Sequence, residues 1–107
     1  MIGNKLLLDT NIILYILAGD ETIARYLNGK ILFASVISEM ELLGFQKLNQ
    51  KEEKAIKSFL AQFRIIYIDD AIKNETILLR KQYALKLPDC IVAATAISLN
   101  LSLITAD

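Results

Sequence analysis

The sequence predicts an α/β protein: one domain with a parallel sheet of about four strands and helices on both faces. Short apolar runs alternate with longer segments of helical periodicity, and parallel neighbouring strands need such helices as crossovers. The 107 residues are 54% hydrophobic, which suits a single core. With one proline, four glycines and no repeat or low-complexity segment, the chain shows no linker that would divide it.

Four runs rich in leucine or β-branched residues are bounded by polar residues, which is typical of strands: 5–8, 31–35, 65–68 and 102–105. Five segments between them have apolar residues at helical spacing: 12–28, 38–48, 51–63, 70–84 and 88–99. We expect the first of these helices to break near Gly19. Ser38 and Glu41 have the spacing of a capping box, and Pro88 suits the first position of its helix.

The composition excludes several kinds of chemistry. The absence of histidine excludes Ser-His-Asp and Cys-His catalysis, and a single cysteine disfavours a zinc site. The 12 lysines and arginines balance 12 aspartates and glutamates, so the chain lacks the basic excess that holds nucleic acid nonspecifically. Catalysis would therefore depend on oxygen ligands, and an RNA substrate would be held by metals and local patches.

No segment of the sequence predicts membrane insertion or export. The longest apolar stretches, 12–18 and 91–94, are far shorter than the ~18 to 20 residues that a membrane span needs. The start MIGNKLLLDT lacks the cationic run and long apolar stretch of a secretory signal. We therefore expect no membrane partner and, by default, a cytoplasmic protein, in which Cys90 is a small core residue with no disulfide partner in the chain.

Four acidic residues stand where a parallel sheet would gather them. Asp9 directly follows the first strand and Asp107 comes two residues beyond the last, while Glu41 and Asp89 lie in the opening turns of two helices. The carboxyl ends of parallel strands and the helices that follow them meet at one edge of the sheet, where such folds bind ligands. The sequence therefore predicts one site containing all four acids.

Each of these acids also has a purely structural interpretation. Asp9 is a good N-cap residue, Glu41 would complete the capping box, and an acid directly after Pro88 suits a helix N-terminus. Asp107 could be a solvated chain end. Only the edge that the four residues share favours a site over these local explanations.

The remaining charged residues look solvated or structural. Glu52 and Glu53 alternate with lysines on what looks like a solvated helix face, and Asp69 with Asp70 resembles an ordinary helix cap. Three cations shortly before Asp89 could either contact substrate phosphate or act as partners of a helix dipole: Arg80, Lys81 and Lys86.

Clustered carboxylates repel one another, and divalent cations relieve that repulsion. Hard oxygen ligands select Mg²⁺ or Mn²⁺, commonly bound by a few carboxylates with waters completing the shell. Such a site suits hydrolysis of a phosphodiester bond, because the metal activates and orients a water and neutralises charge on the phosphate. The predicted ligands, which are also the predicted catalytic residues, are Asp9, Glu41, Asp89 and Asp107.

Three segments carry a resemblance to a known family: LLLDTNIILYIL at the start, SVISEMELLGF in the middle and KLPDCIVAATAISLNLSLITAD at the end. In this order and spacing, along nearly the whole chain, they resemble the PIN-domain ribonucleases and, within them, the VapC-type toxins of toxin–antitoxin modules. The last segment is the most specific. The resemblance assigns Asp9, Glu41 rather than Glu39, Asp89 and Asp107 to the family's four acids, in that order.

The resemblance implies a Mg²⁺- or Mn²⁺-dependent endoribonuclease, the toxin of a toxin–antitoxin pair, that cleaves structured RNA such as tRNA or ribosomal RNA. It further implies a homodimer, inhibition by a small antitoxin protein inserted into the active-site groove, and supporting roles for Thr10, Asn11 and Thr105. Relatives usually continue past the fourth acid with an aromatic residue, a short helix and a final edge strand. A PIN-like domain over 1–107 would lack that edge strand, either as a truncated or as a natural short form.

Two other classes of function compete with this interpretation. A PIN-like scaffold could bind RNA or an antitoxin without cutting, and a test for metal-dependent RNA cleavage distinguishes the two. Phosphoaspartate signalling domains and phosphatases also place an aspartate after a first parallel strand. A haloacid-dehalogenase phosphatase would want a second aspartate where Asn11 stands, and a receiver domain would want a lysine after a later strand, so the sequence speaks against both.

Overall fold

The computed structural model describes residues 3–106 and confirms the predicted fold class. All strands of its four-stranded sheet are parallel, in the order β3-β2-β1-β4. The strands are β1 (Lys5–Leu8), β2 (Ile31–Ser35), β3 (Arg64–Ile66) and β4 (Ser102–Ile104). The helices are α1 (Thr10–Leu17), α2 (Glu21–Leu27), α3 (Val36–Leu43), α4 (Gln50–Leu60), α5 (Asp70–Gln82) and α6 (Leu87–Leu99).

The central strand β1 explains the two-sided packing. It lies between β2 and β4, and its three leucines are completely buried. Because side chains alternate along a strand, Leu6 and Leu8 pack on one face with residues of α1, α2 and α4, whereas Leu7 packs on the other face with Val92 and Ala96 of α6. Burial on both faces accounts for the uninterrupted apolar sequence of this strand.

Helix α5 packs beside α6 on the same face of the sheet, where Ile66 of β3 contacts both of their clusters. Its residues Ile72 and Leu79 pack against Cys90 and Ala94 of α6, and Cys90 is completely buried, as expected of a core residue. Within the part of the chain that the structure describes, no helix is long and apolar enough to cross a membrane.

Two helix boundaries test the sequence predictions. The predicted break of the first helix is confirmed, since Gly19 adopts a left-handed φ of 101° between α1 and α2. The predicted capping box of Ser38 and Glu41 is wrong. The structure begins α3 at Val36 because Ser35, the last residue of β2, is itself the N-cap and its hydroxyl accepts the Ile37 N–H at 3.1 Å.

The predicted end of that helix at residue 48 is also too late. Helix α3 ends at Leu43 with Gly44 as its C-cap. A Cβ at Gly44 would lie 2.5 Å from the Met40 carbonyl oxygen, so only glycine fits there without a shift of the backbone. The chain then turns through 45–49 and enters α4, which places this turn near the carboxyl edge of the sheet.

Candidate active site

Asp9 is held rigidly at the carboxyl end of β1. It is the N-cap of α1, and its Oδ1 accepts the Ile12 N–H at 2.9 Å. Its backbone N–H donates to the carbonyl oxygen of Ile104, at the end of β4, at 3.0 Å. The sequence offered the cap and the site as alternative roles for Asp9, and the geometry accommodates both in one half-buried carboxylate.

Glu41 lies in the second turn of α3 and is tied to the start of α1. Its Oε1 accepts a hydrogen bond from the hydroxyl of Thr10, the first residue of α1, at 2.8 Å. The same hydroxyl lies 2.8 Å from the hydroxyl oxygen of Ser38. Free of the capping role that the sequence suggested for it, the Glu41 side chain crosses from α3 to α1.

Asp89 lies in the first turn of α6, after Pro88. The N-cap of that helix is Lys86, whose side chain makes no capping hydrogen bond. Both Asp89 and Lys86 are exposed. A cation and a carboxylate therefore stand together where α6 begins.

The three acids Asp9, Glu41 and Asp89 line one cavity of about 800 Å³ at the carboxyl edge of the sheet. Thr10, Asn11 and Lys86 line it with them. Large apolar side chains from α1, α3, α4 and the turn between the last two also line it and are called the apolar wall: Leu14, Leu17, Leu42, Phe45, Leu48 and Ile56. The lining therefore combines acidic and apolar side chains, and Phe45 is 63% exposed.

The donor set suits a hard divalent cation. The charged oxygen donors of the cavity are carboxylates, which are the ligands of Mg²⁺ and Mn²⁺. Within residues 3–106, no three acidic or cysteine side chains converge closely enough to enclose a metal ion together. Mg²⁺ does not require that, since it commonly binds through one or two carboxylates and keeps several waters. The residues present therefore fit such a cation with water filling the remaining positions.

Other residues that the sequence singled out lie apart from the cavity or beyond the described chain. Arg80 donates through Nη1 to the Leu85 carbonyl oxygen at 3.0 Å, and Lys81 is exposed in the last turn of α5; neither lines the cavity. Thr105 follows β4, next to the strand end that binds the Asp9 backbone. Asp107 lies outside the described residues.

Some residues that line the cavity were not predicted to do so from the sequence. Glu52 is exposed, as expected of a solvated helix face, but it also lines the cavity. It completes a capping box with Asn49, whose backbone N–H donates to Glu52 Oε1 at 3.1 Å. The Asn-x-x-Glu spacing could have revealed that box. The apolar wall left no sequence signal, because it forms only when the turn after α3 folds back towards α1.

The chain is similar to known proteins both in sequence and in fold. A family model described as PIN domain matches residues 6–107. A toxin–antitoxin complex from Klebsiella pneumoniae contains a chain 34% identical to this one, with TM-score 0.83, over 95% of this chain and 86% of that chain. VapBC-1 from nontypeable Haemophilus influenzae is 28% identical, with TM-score 0.76, over 96% and 87% respectively. FitAcB from Neisseria gonorrhoeae is 26% identical, with TM-score 0.80, over 95% and 87%. No curated protein sequence matches the chain. The resemblance found in the sequence motifs is confirmed.

Proposed function

The chain belongs to the PIN domain family, and we propose that it is a divalent-metal-dependent endoribonuclease that acts as the toxin of a toxin–antitoxin pair. One observation carries the nuclease proposal: Asp9 after β1, Glu41 of α3 and Asp89 of α6, far apart in the sequence, line the same cavity. The toxin role is supported by the Klebsiella neighbour, which is a toxin–antitoxin complex.

In this proposal Asp9, Glu41 and Asp89 hold Mg²⁺ or Mn²⁺, with Asp107 as the fourth acid. When bound, the cation supplies an activated water and neutralises charge on the phosphodiester. The protein contributes preorganisation. The cap bond of Asp9 and the Thr10 bond of Glu41 fix two carboxylates before a ligand arrives, which lowers the entropy lost on binding. Asn11 and Thr105 have supporting roles in the same proposal.

In this proposal the RNA phosphates contact a cation that lines the cavity. Among the described residues, Lys86 is the one lysine or arginine that lines the cavity. Its charge would offset the repulsion between the acids and an incoming phosphate, and phosphate contacts of this kind position the substrate without selecting a sequence. Arg80 and Lys81, also proposed as RNA contacts, would act from outside the cavity.

The mixed acidic and apolar lining of the cavity supports an antitoxin partner. The apolar wall with exposed Phe45 suits the apolar face of an amphipathic segment, while the acids suit a basic side chain at its end. A segment that filled both parts would cover the acids and block the site. We also propose a homodimer, as the family resemblance implies.

The nuclease proposal is tested by incubating the protein with an RNA pool and Mn²⁺ or Mg²⁺, with and without EDTA. Asp89→Asn should abolish cleavage because it removes a charged ligand, whereas Asp70→Asn should leave it unchanged. Asp70 is the matched control, an exposed acid in the first turn of α5 that lies outside the cavity.

Cleavage that survives both EDTA and Asp89→Asn would contradict the proposal. RNA or antitoxin binding without any metal-dependent cleavage would instead favour a scaffold that binds without cutting.

A further inference from the structure

Among the described residues, the buried hydroxyl of Ser38 has one hydrogen-bond partner, on another helix. It is the third residue of α3 and is completely buried. The N-cap role that its sequence position suggested belongs to Ser35, so capping does not account for its hydroxyl. Buried hydroxyls in folded proteins are almost always hydrogen-bonded. The bond formed here is to the Thr10 hydroxyl at 2.8 Å.

The number of protons fixes the direction of the bonds around Thr10. Its Oγ1 lies 2.8 Å from Ser38 Oγ and 2.8 Å from Glu41 Oε1, but a hydroxyl carries one proton. An ionised carboxylate can only accept. Both bonds therefore exist together only when Ser38 donates to Thr10 and Thr10 donates to Glu41.

From this geometry we infer that Ser38 is a positioning residue of the site, which holds the Thr10 hydroxyl so that its proton points at Glu41. Glu41 is exposed and has a long, flexible side chain, so a single bond from a freely rotating hydroxyl would orient it weakly. A donor in the core removes that rotation. Chains of hydroxyls also polarise one another, which strengthens the terminal bond to the carboxylate.

The arrangement also ties two helices together beside the sheet edge. Ser38 and Glu41 are three residues apart on α3, so they face the same side, and Thr10 of α1 bonds to both. The consequence for metal binding rests on the proposed function, whereas the hydrogen-bond chain itself does not. Partners that orient a metal ligand are commonly worth about 10- to 100-fold in metal affinity.

The first test measures Mn²⁺ binding by electron paramagnetic resonance on Ser38→Ala and Ser35→Ala. The two serines are equally buried and three residues apart, but Ser35 caps α3 and makes no hydrogen bond to an acid among residues 3–106. Ser38→Ala should weaken Mn²⁺ binding about 10-fold. Ser35→Ala should lower the melting temperature and leave Mn²⁺ affinity within about twofold, while Ser38→Thr, which keeps a hydroxyl, should restore it. Equal Mn²⁺ affinities in Ser38→Ala and the unaltered protein would overturn the inference.

A double-mutant cycle tests whether Ser38 acts through Thr10. In a Thr10→Val background the hydroxyl between Ser38 and Glu41 is gone, so adding Ser38→Ala should produce no further loss of Mn²⁺ affinity. Additive losses would show that Ser38 acts by another route and would overturn the inference. If changes at the buried position 38 impair folding, Thr10→Val alone still tests the hydrogen-bond chain, because it removes the hydroxyl between Ser38 and Glu41.

A third readout separates this inference from the nuclease proposal. In metal-free protein, the ¹³C resonance of the Glu41 carboxyl should shift and broaden equally in Ser38→Ala and Thr10→Val, and stay unchanged in Ser35→Ala. That pattern without any RNA cleavage would support the positioning role and contradict the nuclease. Suppose instead that cleavage depends on Asp89 and that the Glu41 resonance is unchanged in Ser38→Ala. This result would support the nuclease and contradict the positioning role.

Discussion

Two strand–helix units of this protein share an aspartate N-cap, but the two aspartates differ in whether they line the cavity. In β1–α1 and in β3–α5 an aspartate caps the helix, and its Oδ1 accepts the N–H three residues on, at 2.9 Å for Asp9 and 2.8 Å for Asp69. Asp9 is half-buried and lines the cavity, whereas Asp69 is exposed and lies outside it. Capping geometry therefore does not distinguish an acid of the site from a structural one.

Position in the sheet does make that distinction. β1 has a neighbour on each side, and the second turn of α3 and the first turn of α6 bring Glu41 and Asp89 to the cavity that Asp9 lines. β3 is an edge strand, paired only with β2 among the described strands. Residues 67 and 68 also separate its end from Asp69. The same cap at this edge of the sheet therefore lies outside the cavity that Glu41 and Asp89 line.

The largest expected difference between the units is in stability. Leu8→Ala should lower the free energy of unfolding by about 3 to 5 kcal/mol, because Leu8 is completely buried in the central strand and its loss leaves a cavity. The matching change in the edge strand, Ile66→Ala, should cost about half as much, since Ile66 is only half-buried. Urea unfolding followed by circular dichroism measures both. Equal losses would show that the two strands contribute alike to the core.

The next effect separates capping from chemistry. Asp9→Asn should reduce RNA cleavage more than about 100-fold, because it removes a charged metal ligand. This loss is larger than the loss expected when only a partner that orients a ligand is removed. Asp69→Asn should leave cleavage unchanged. Asparagine caps helices as well as aspartate, so neither variant should lose more than about 0.5 kcal/mol of stability. Single-turnover rates together with melting curves check this pair, and equal rates in the two variants would remove Asp9 from the site.

The smallest effect concerns two cations, Lys81 in the last turn of α5 and Lys86 just before α6. Lys86→Ala should raise the KM for RNA about 2- to 5-fold with little change in kcat, the modest contribution expected of an exposed charge contact. The difference should shrink as salt is added. Lys81→Ala, which changes an exposed cation outside the cavity, should leave KM unchanged. A larger effect at Lys81 than at Lys86 would place the RNA path along α5 instead.

Much of this arrangement could be predicted from the sequence because the signals are local. The leucine run of β1 and the proline of α6 identified two elements, and with them the placement of Asp9 and Asp89. The parallel order of strands and helices then predicted that these acids share an edge. Asp107 stays a prediction of that argument.

The predictions that failed needed tertiary information. The sequence pattern predicted Ser38 as the cap of α3, whereas the cap is Ser35, since nothing local shows that β2 runs directly into the helix. Glu52 is exposed, as the sequence predicted, but its position at the cavity was not predicted. Its place beside the cavity depends on how α4 returns towards α1. Contacts between distant segments therefore account for most of what sequence patterns missed.

The most direct test of the account is anomalous diffraction at the manganese edge from crystals grown with Mn²⁺. The account predicts a manganese peak in the cavity, bound by Asp9 and by one or both of Glu41 and Asp89, and lost in Asp9→Asn crystals. Asp69→Asn crystals should keep the peak. A cavity without manganese at saturating concentration, or a peak that persists in Asp9→Asn, would contradict the claim that these acids form one metal site.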